Sequence, residues 1–106
     1  ILGMKTKKNK ISIKQLYTII EKRSKGAKKK SYTKDLLKKG KKFIAQKVGE
    51  ESSELIIDYL NGTKKRTIEE AADLFYHLLV LLYSKKITIE DIEKELFKRN
   101  KNVRRK

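Results

Sequence analysis

The sequence predicts an all-α helical bundle, and three observations carry that expectation. The 106 residues contain no proline and only five glycines, so helix breakers are scarce. Apolar residues recur at three- and four-residue spacing along most of the chain, the period of a helix with one buried face. The breaks between these stretches are short, which makes consecutive helices antiparallel neighbours. About four main helices are expected, in one domain, because so short a chain cannot bury two cores.

The first helix is expected to start after Ser12, a good N-cap, and to run through Ile13, Leu16, Tyr17 and Ile20 to about Arg23. GAKKK then reads as a solvated loop. Ser31 is placed to cap a short helix carrying Leu36 and Leu37, which Gly40 ends or kinks. A long helix follows from Lys41 to about Leu60 and stops at Asn61-Gly62, with Ile44, Val48, Leu55, Ile56 and Tyr59 forming its apolar stripe. Thr67 is expected to cap the next helix, with Glu69 and Glu70 in its first turn and its end near Ser84. Its LFYHLLVLLY stretch is apolar nearly all round, the mark of a central buried helix. Thr88 opens the last helix, with Ile89, Ile92 and Leu96 packing inward, and the RNKNVRRK tail is expected to fray. The domain is therefore placed at residues 12–100, between a basic segment 1–11 and a basic tail 101–106. Ile1–Gly3 precede the first methionine, Met4, and are expected to be expression-derived.

Lysine and arginine total 29 against 13 acids, a formal charge of +16. Residues 1–49 hold 17 of the bases and 2 of the acids, while residues 50–106 are nearly balanced at 12 and 11. A basic half beside an acidic cluster suits a polyphosphate, with ammonium groups for the outer phosphates and carboxylates for a metal. The same lysines also fit an ordinary solvated surface written by a low-GC genome. The absence of cysteine excludes a disulfide framework, a thiolate nucleophile and thiolate-bound zinc, and fits an intracellular protein. Neither a secretory leader nor an apolar run of membrane-spanning length is present, so no membrane partner and a cytoplasmic location are expected.

The chemistry concentrates in two acidic helix segments. At about 100° per residue, Lys47, Glu50, Glu51 and Glu54 share one face of their helix. Glu70, Asp73 and His77 lie on one strip of the next. Glu51 and Glu54 are one turn apart, as are Glu70 and Asp73, so antiparallel packing brings two carboxylates from each helix toward one or two cations. Carboxylates held this close repel one another unless a cation neutralises them, and an all-oxygen donor set selects Mg²⁺, or Mn²⁺, over zinc. Either acid pair alone would read as an exposed face paired with Lys47 or as acids complementing a helix N-terminus; together they favour a metal. No nucleophile triad and no Walker-type glycine loop accompany them.

The run SYTKDLLKKGKKFIAQKVGEESSE, followed by EEAADLFYHLLVLL, resembles the phosphoribosyl-ATP pyrophosphohydrolases of histidine biosynthesis, within the all-helical MazG-like superfamily. The likeness covers about Ile13 to Asn100. It implies Mg²⁺-dependent hydrolysis of phosphoribosyl-ATP to phosphoribosyl-AMP and pyrophosphate. Position by position, Glu51, Glu54, Glu70 and Asp73 then stand as metal ligands and catalytic residues. Glu50 stands beside them, orienting the attacking water or supporting a ligand. Lys47 projects into the acid arc, toward pyrophosphate or in an ion pair with Glu51 or Glu54. Lys39, among the lysines flanking Gly40, is a candidate phosphate contact. His77 matches the family's YH pair and lines the site or packs in the core. Tyr32 and Thr33 match a loop that closes over substrate or simply caps and packs. Ser52, Ser53 and Asp58 depart from the usual pattern, and Asp58 either extends the metal site or faces water. A stand-alone enzyme acting as a homodimer is expected. The competing expectations are a MazG-like pyrophosphohydrolase of non-standard nucleoside triphosphates and, third, a basic nucleic-acid-binding module on residues 5–49. The third leaves the acids without a role, and nucleic acid is therefore not the expected partner.

Overall fold

The computed structural model describes residues 9–26 and 31–101. Most of the basic N-terminal segment, the lysines of the GAKKK loop and the tail beyond Lys101 lie outside the described residues. The described residues form helices and no strand, in the order α1 (Ile13–Lys25), α2 (Tyr32–Lys39), α3 (Lys41–Asn61), α4 (Lys64–Ser84) and α5 (Ile89–Lys101).

Local chemistry explains each start. Ser12 and Gln15 form a reciprocal capping box at α1: Gln15 N–H donates to Ser12 Oγ at 3.0 Å, and Ser12 N–H donates to Gln15 Oε1 at 2.8 Å. Ser31 caps α2 through the Lys34 amide. Gly40 then adopts φ 95°, a left-handed conformation that costs glycine little, and so ends α2 and begins α3 as a single residue. Gly62 and Thr63 alone separate α3 from α4. A Cβ at Gly62 would lie 2.9 Å from the Asp58 carbonyl oxygen, so this reversal requires glycine.

Three expectations are corrected. α4 begins a full turn before Thr67, because Thr63 accepts from the Arg66 amide at 3.1 Å and caps it there. Thr67 instead sits inside the helix, its hydroxyl directed at the carbonyls of Thr63 and Asp58. The second correction concerns α5. Ile89 packs against the core, but Ile92 and Leu96 are exposed, as is Phe97. Likewise Ile56 and Tyr59 of the α3 stripe face outward while Ile44 is buried.

α3 and α4 are the most extensively packed pair, and the two-residue link returns α4 along α3. α1 and α2 cover one side of them. The core joins Ile20 of α1, Leu36 of α2, Ile44 of α3 and Leu79 and Val80 of α4. Apolar burial on this scale stabilises by about 25 cal/mol per Å² removed from water, and it fixes the register of α3 against α4. That register positions the acids.

Candidate metal centre and active site

Glu51 enters from α3 one turn after Lys47, and Glu70 and Asp73 enter from the first half of α4. One carboxylate oxygen from each of Glu51, Glu70 and Asp73 lies within 4.8 Å of the others. Glu51 and Glu70 are 7% and 4% exposed, while Asp73 is open to solvent. The helix-helix contact thus sets the three carboxylates at the edge of the core, with an approach from outside.

Glu54 adjoins this group. Burial, and then the neighbouring Glu54 carboxylate, push the Glu70 carboxyl above its ordinary range. Glu70 Oε2 accepts from Arg66 Nη2, and the buried Oε1 has no hydrogen-bond partner. A buried oxygen without a hydrogen-bond partner, within a cluster of carboxylates, fits the role of a cation ligand. The donors are all hard oxygens, so they fit Mg²⁺ or Mn²⁺.

Lys47 reaches Glu50 at 3.4 Å and Glu51 at 3.7 Å, so the ion pair to Glu51, one of the two alternatives open for it, is present in the single chain. Burial disfavours its charge, but Tyr32 and these two carboxylates outweigh burial and hold its pKa above the usual lysine value. Glu50 is exposed. The hydrogen bond from Gln46, and then that from Lys47 working against burial, keep its carboxyl below the usual range.

His77 is 6% exposed and both its ring nitrogens are engaged. Nδ1 lies 2.8 Å from the Asp73 carbonyl, which can only accept, so Nδ1 carries hydrogen. In the neutral ring Nε2 is then the acceptor, and the Tyr32 hydroxyl donates to it at 2.8 Å. Tyr32 also stacks on Tyr76, and Tyr76 shares a hydrogen bond with the buried Thr33 hydroxyl. The first turn of α2 is thereby pinned to α4 one turn beyond Asp73. Lys39 lies apart from this group in its contacts, its ammonium 4.6 Å from the centre of the Phe43 ring.

Two placements were not foreseen. Asp58 neither joins the carboxylates nor simply faces water: its Oδ2 lies 3.6 Å from Arg66 Nη2. Arg66 itself went unnoticed in the sequence, although its i,i+3 and i,i+4 spacing to Glu69 and Glu70 was a local signal.

Residues 13–100 match the phosphoribosyl-ATP pyrophosphohydrolase family. The chain belongs to that family. It is 51% identical over 89 residues to the phosphoribosyl-ATP pyrophosphatase of Sulfolobus acidocaldarius, covering 84% of this chain and 94% of that protein. Against the phosphoribosyl-ATP pyrophosphatase of Clostridium acetobutylicum it is 47% identical over 96 residues, 91% of this chain and 86% of the relative. The histidine biosynthesis bifunctional protein HisIE of Bacteroides thetaiotaomicron is 43% identical over 104 residues, 98% of this chain but 51% of that longer protein. The family's all-helical architecture is the one described above. No helix among the described residues is long and apolar enough to cross a membrane.

Proposed function

We propose that this chain hydrolyses phosphoribosyl-ATP to phosphoribosyl-AMP and pyrophosphate as a step of histidine biosynthesis, using Mg²⁺, or Mn²⁺, held by Glu51, Glu54, Glu70 and Asp73. Membership of the family supplies the reaction, and the convergence of Glu51, Glu70 and Asp73 from two helices carries the assignment of the site. A divalent cation there neutralises phosphate charge and makes a phosphorus atom easier to attack. Glu50 is ionised, exposed and on the same helix face as Glu51 and Glu54. It is suited to orient the attacking water and to take its proton. Lys47 is held among the acids and offers its ammonium to the leaving pyrophosphate. Tyr32, hydrogen-bonded through its hydroxyl to His77 and about half exposed, offers ring surface to a nucleotide, and Lys39, which contacts Phe43 rather than this group, is the more distant cation for the outer phosphates.

The catalytic unit in this reading is residues 12–100, flanked by basic segments, and it works as a homodimer in the cytoplasm. Ile56, Tyr59 and Leu60 of α3 and Ile68 and Phe75 of α4 support the dimer, because these large apolar side chains are exposed in the single chain.

Pyrophosphate release with Mg²⁺ present, on phosphoribosyl-ATP beside ATP and a panel of deoxynucleoside triphosphates, tests the reading. Strong preference for phosphoribosyl-ATP is expected. Preference for the triphosphates would move the chain to nucleotide clearance, and no release from any substrate would refute the enzyme assignment.

A further inference from the structure

Arg66 makes the contacts of a clamp. From the first turn of α4 its guanidinium reaches Glu69 at 2.7 Å, Glu70 one turn on, and Asp58 across on α3 at 3.6 Å. Its own side chain is half exposed, whereas that of Glu70 is almost fully buried. The two Glu70 oxygens are therefore unequal: Oε2 is occupied by Arg66, and Oε1 is buried without a hydrogen bond. A glutamate has three rotatable side-chain bonds, and repulsion from Glu54 and Asp73 would turn an untethered carboxylate away from the cluster. A guanidinium is planar and presents several N–H groups in a fixed fork, so it can fix the plane of a carboxylate where an ammonium cannot.

We infer that Arg66 is a positioning residue for the metal centre, holding Glu70 by Oε2 so that Oε1 is presented to the cation. The inference rests on the metal reading above. Arg66 touches neither substrate nor cation in this account and acts only through Glu70. Partners that orient metal ligands in this way are worth about 10- to 100-fold in affinity.

The test is Mn²⁺ binding to the full chain without nucleotide, by calorimetry and by the electron paramagnetic resonance line shape of the bound ion, with helicity checked by circular dichroism. Arg66→Met should weaken Mn²⁺ binding about 10-fold or more and alter the line shape while helicity is kept. Arg66→Lys should recover only part of the affinity, since one ammonium cannot reproduce the fork. Asp58→Asn breaks the link to α3 but leaves Arg66 on Glu70, so its Mn²⁺ affinity should stay within about twofold of wild type, well short of the clamp's worth. Unchanged or tighter binding in Arg66→Met would overturn the inference, as would an equal loss in Asp58→Asn, which would make Arg66 a helix bridge. If Arg66→Met does not fold, Arg66→Lys decides: full wild-type affinity and line shape refute the clamp. Failure of the wild type to bind Mn²⁺ would remove the metal reading itself, and the clamp with it.

Discussion

Glu54→Gln and Asp73→Asn each keep the size of a side chain and remove its charge, so they separate the electrostatics of the site from its packing. Both positions are exposed, and neither substitution opens a cavity. Each is expected to lower Mg²⁺-dependent pyrophosphate release at least about 100-fold, the scale of losing a group that serves the reacting charge, with circular dichroism unchanged. Wild-type-like rates in both would dismantle the proposed cage. The acids were legible in the sequence because a one-turn spacing on two adjacent helices depends only on helix geometry. Arg66 was legible only in part. Its i,i+3 and i,i+4 spacing to Glu69 and Glu70 is local, but its tie to Asp58 depends on how α3 turns into α4. The partner of His77 was not legible at all, since only packing could bring Tyr32, 45 residues away, within hydrogen-bond distance of it.

Helix starts were legible wherever one residue could cap them, and ambiguous where two could. Thr63 and Thr67 are both good caps, and the acids at 69 and 70 resembled a first turn. Thr63 prevails because the bend at Gly62 delivers it to the right backbone geometry. α5 shows how little can hold an element whose body is exposed from Glu90 to Asn100. Its root is fixed by the core contact of Ile89, by Lys14 on Glu90 at 3.0 Å, and by a reciprocal cap between Thr88 and Asp91. Hydrogen bonds from the Thr88 backbone and then its hydroxyl hold the Asp91 carboxyl below its ordinary 3.8, and Lys14 lowers Glu90 in the same way. A carboxyl with a depressed folded pKa contributes fully above its unfolded value, and that contribution fades as pH falls through the folded one. Hydrogen-exchange protection of α5 amides should therefore be constant near neutrality and fall below about pH 4, ahead of the α3 and α4 core. Asp91→Asn should lower the neutral-pH protection and flatten its acid limb. An α5 that loses protection only together with the core would show that the cap does not control it.

Periodicity identifies an apolar face but not what covers it, and this limit has a consequence for the whole molecule. Ile56 and Tyr59 belong to the helical pattern that also supplies Ile44, yet within one chain they meet solvent, Tyr59 at 73% exposure. On α4, Ile68 and Phe75 lie seven residues apart on one strip and are also exposed, while Leu79 and Val80 on the same helix are buried. Both faces flank the segments that carry Glu51, Glu54, Glu70 and Asp73. Leaving them wet forgoes about 25 cal/mol for each Å² of apolar surface, and a second copy recovers this without any new residue. A homodimer through these faces therefore predicts a mass near twice 12.4 kDa by light scattering. Ile56→Glu and Phe75→Glu add charge to the exposed faces of α3 and α4. They should shift the chain to monomer and, because a second copy on these faces would support the helices that hold the acids, reduce pyrophosphate release together with thermal stability. A wild-type monomer would place the cover elsewhere. A dimer that survives both substitutions would move the interface to another exposed stripe, of which Ile92 and Leu96 on α5 are the next in line.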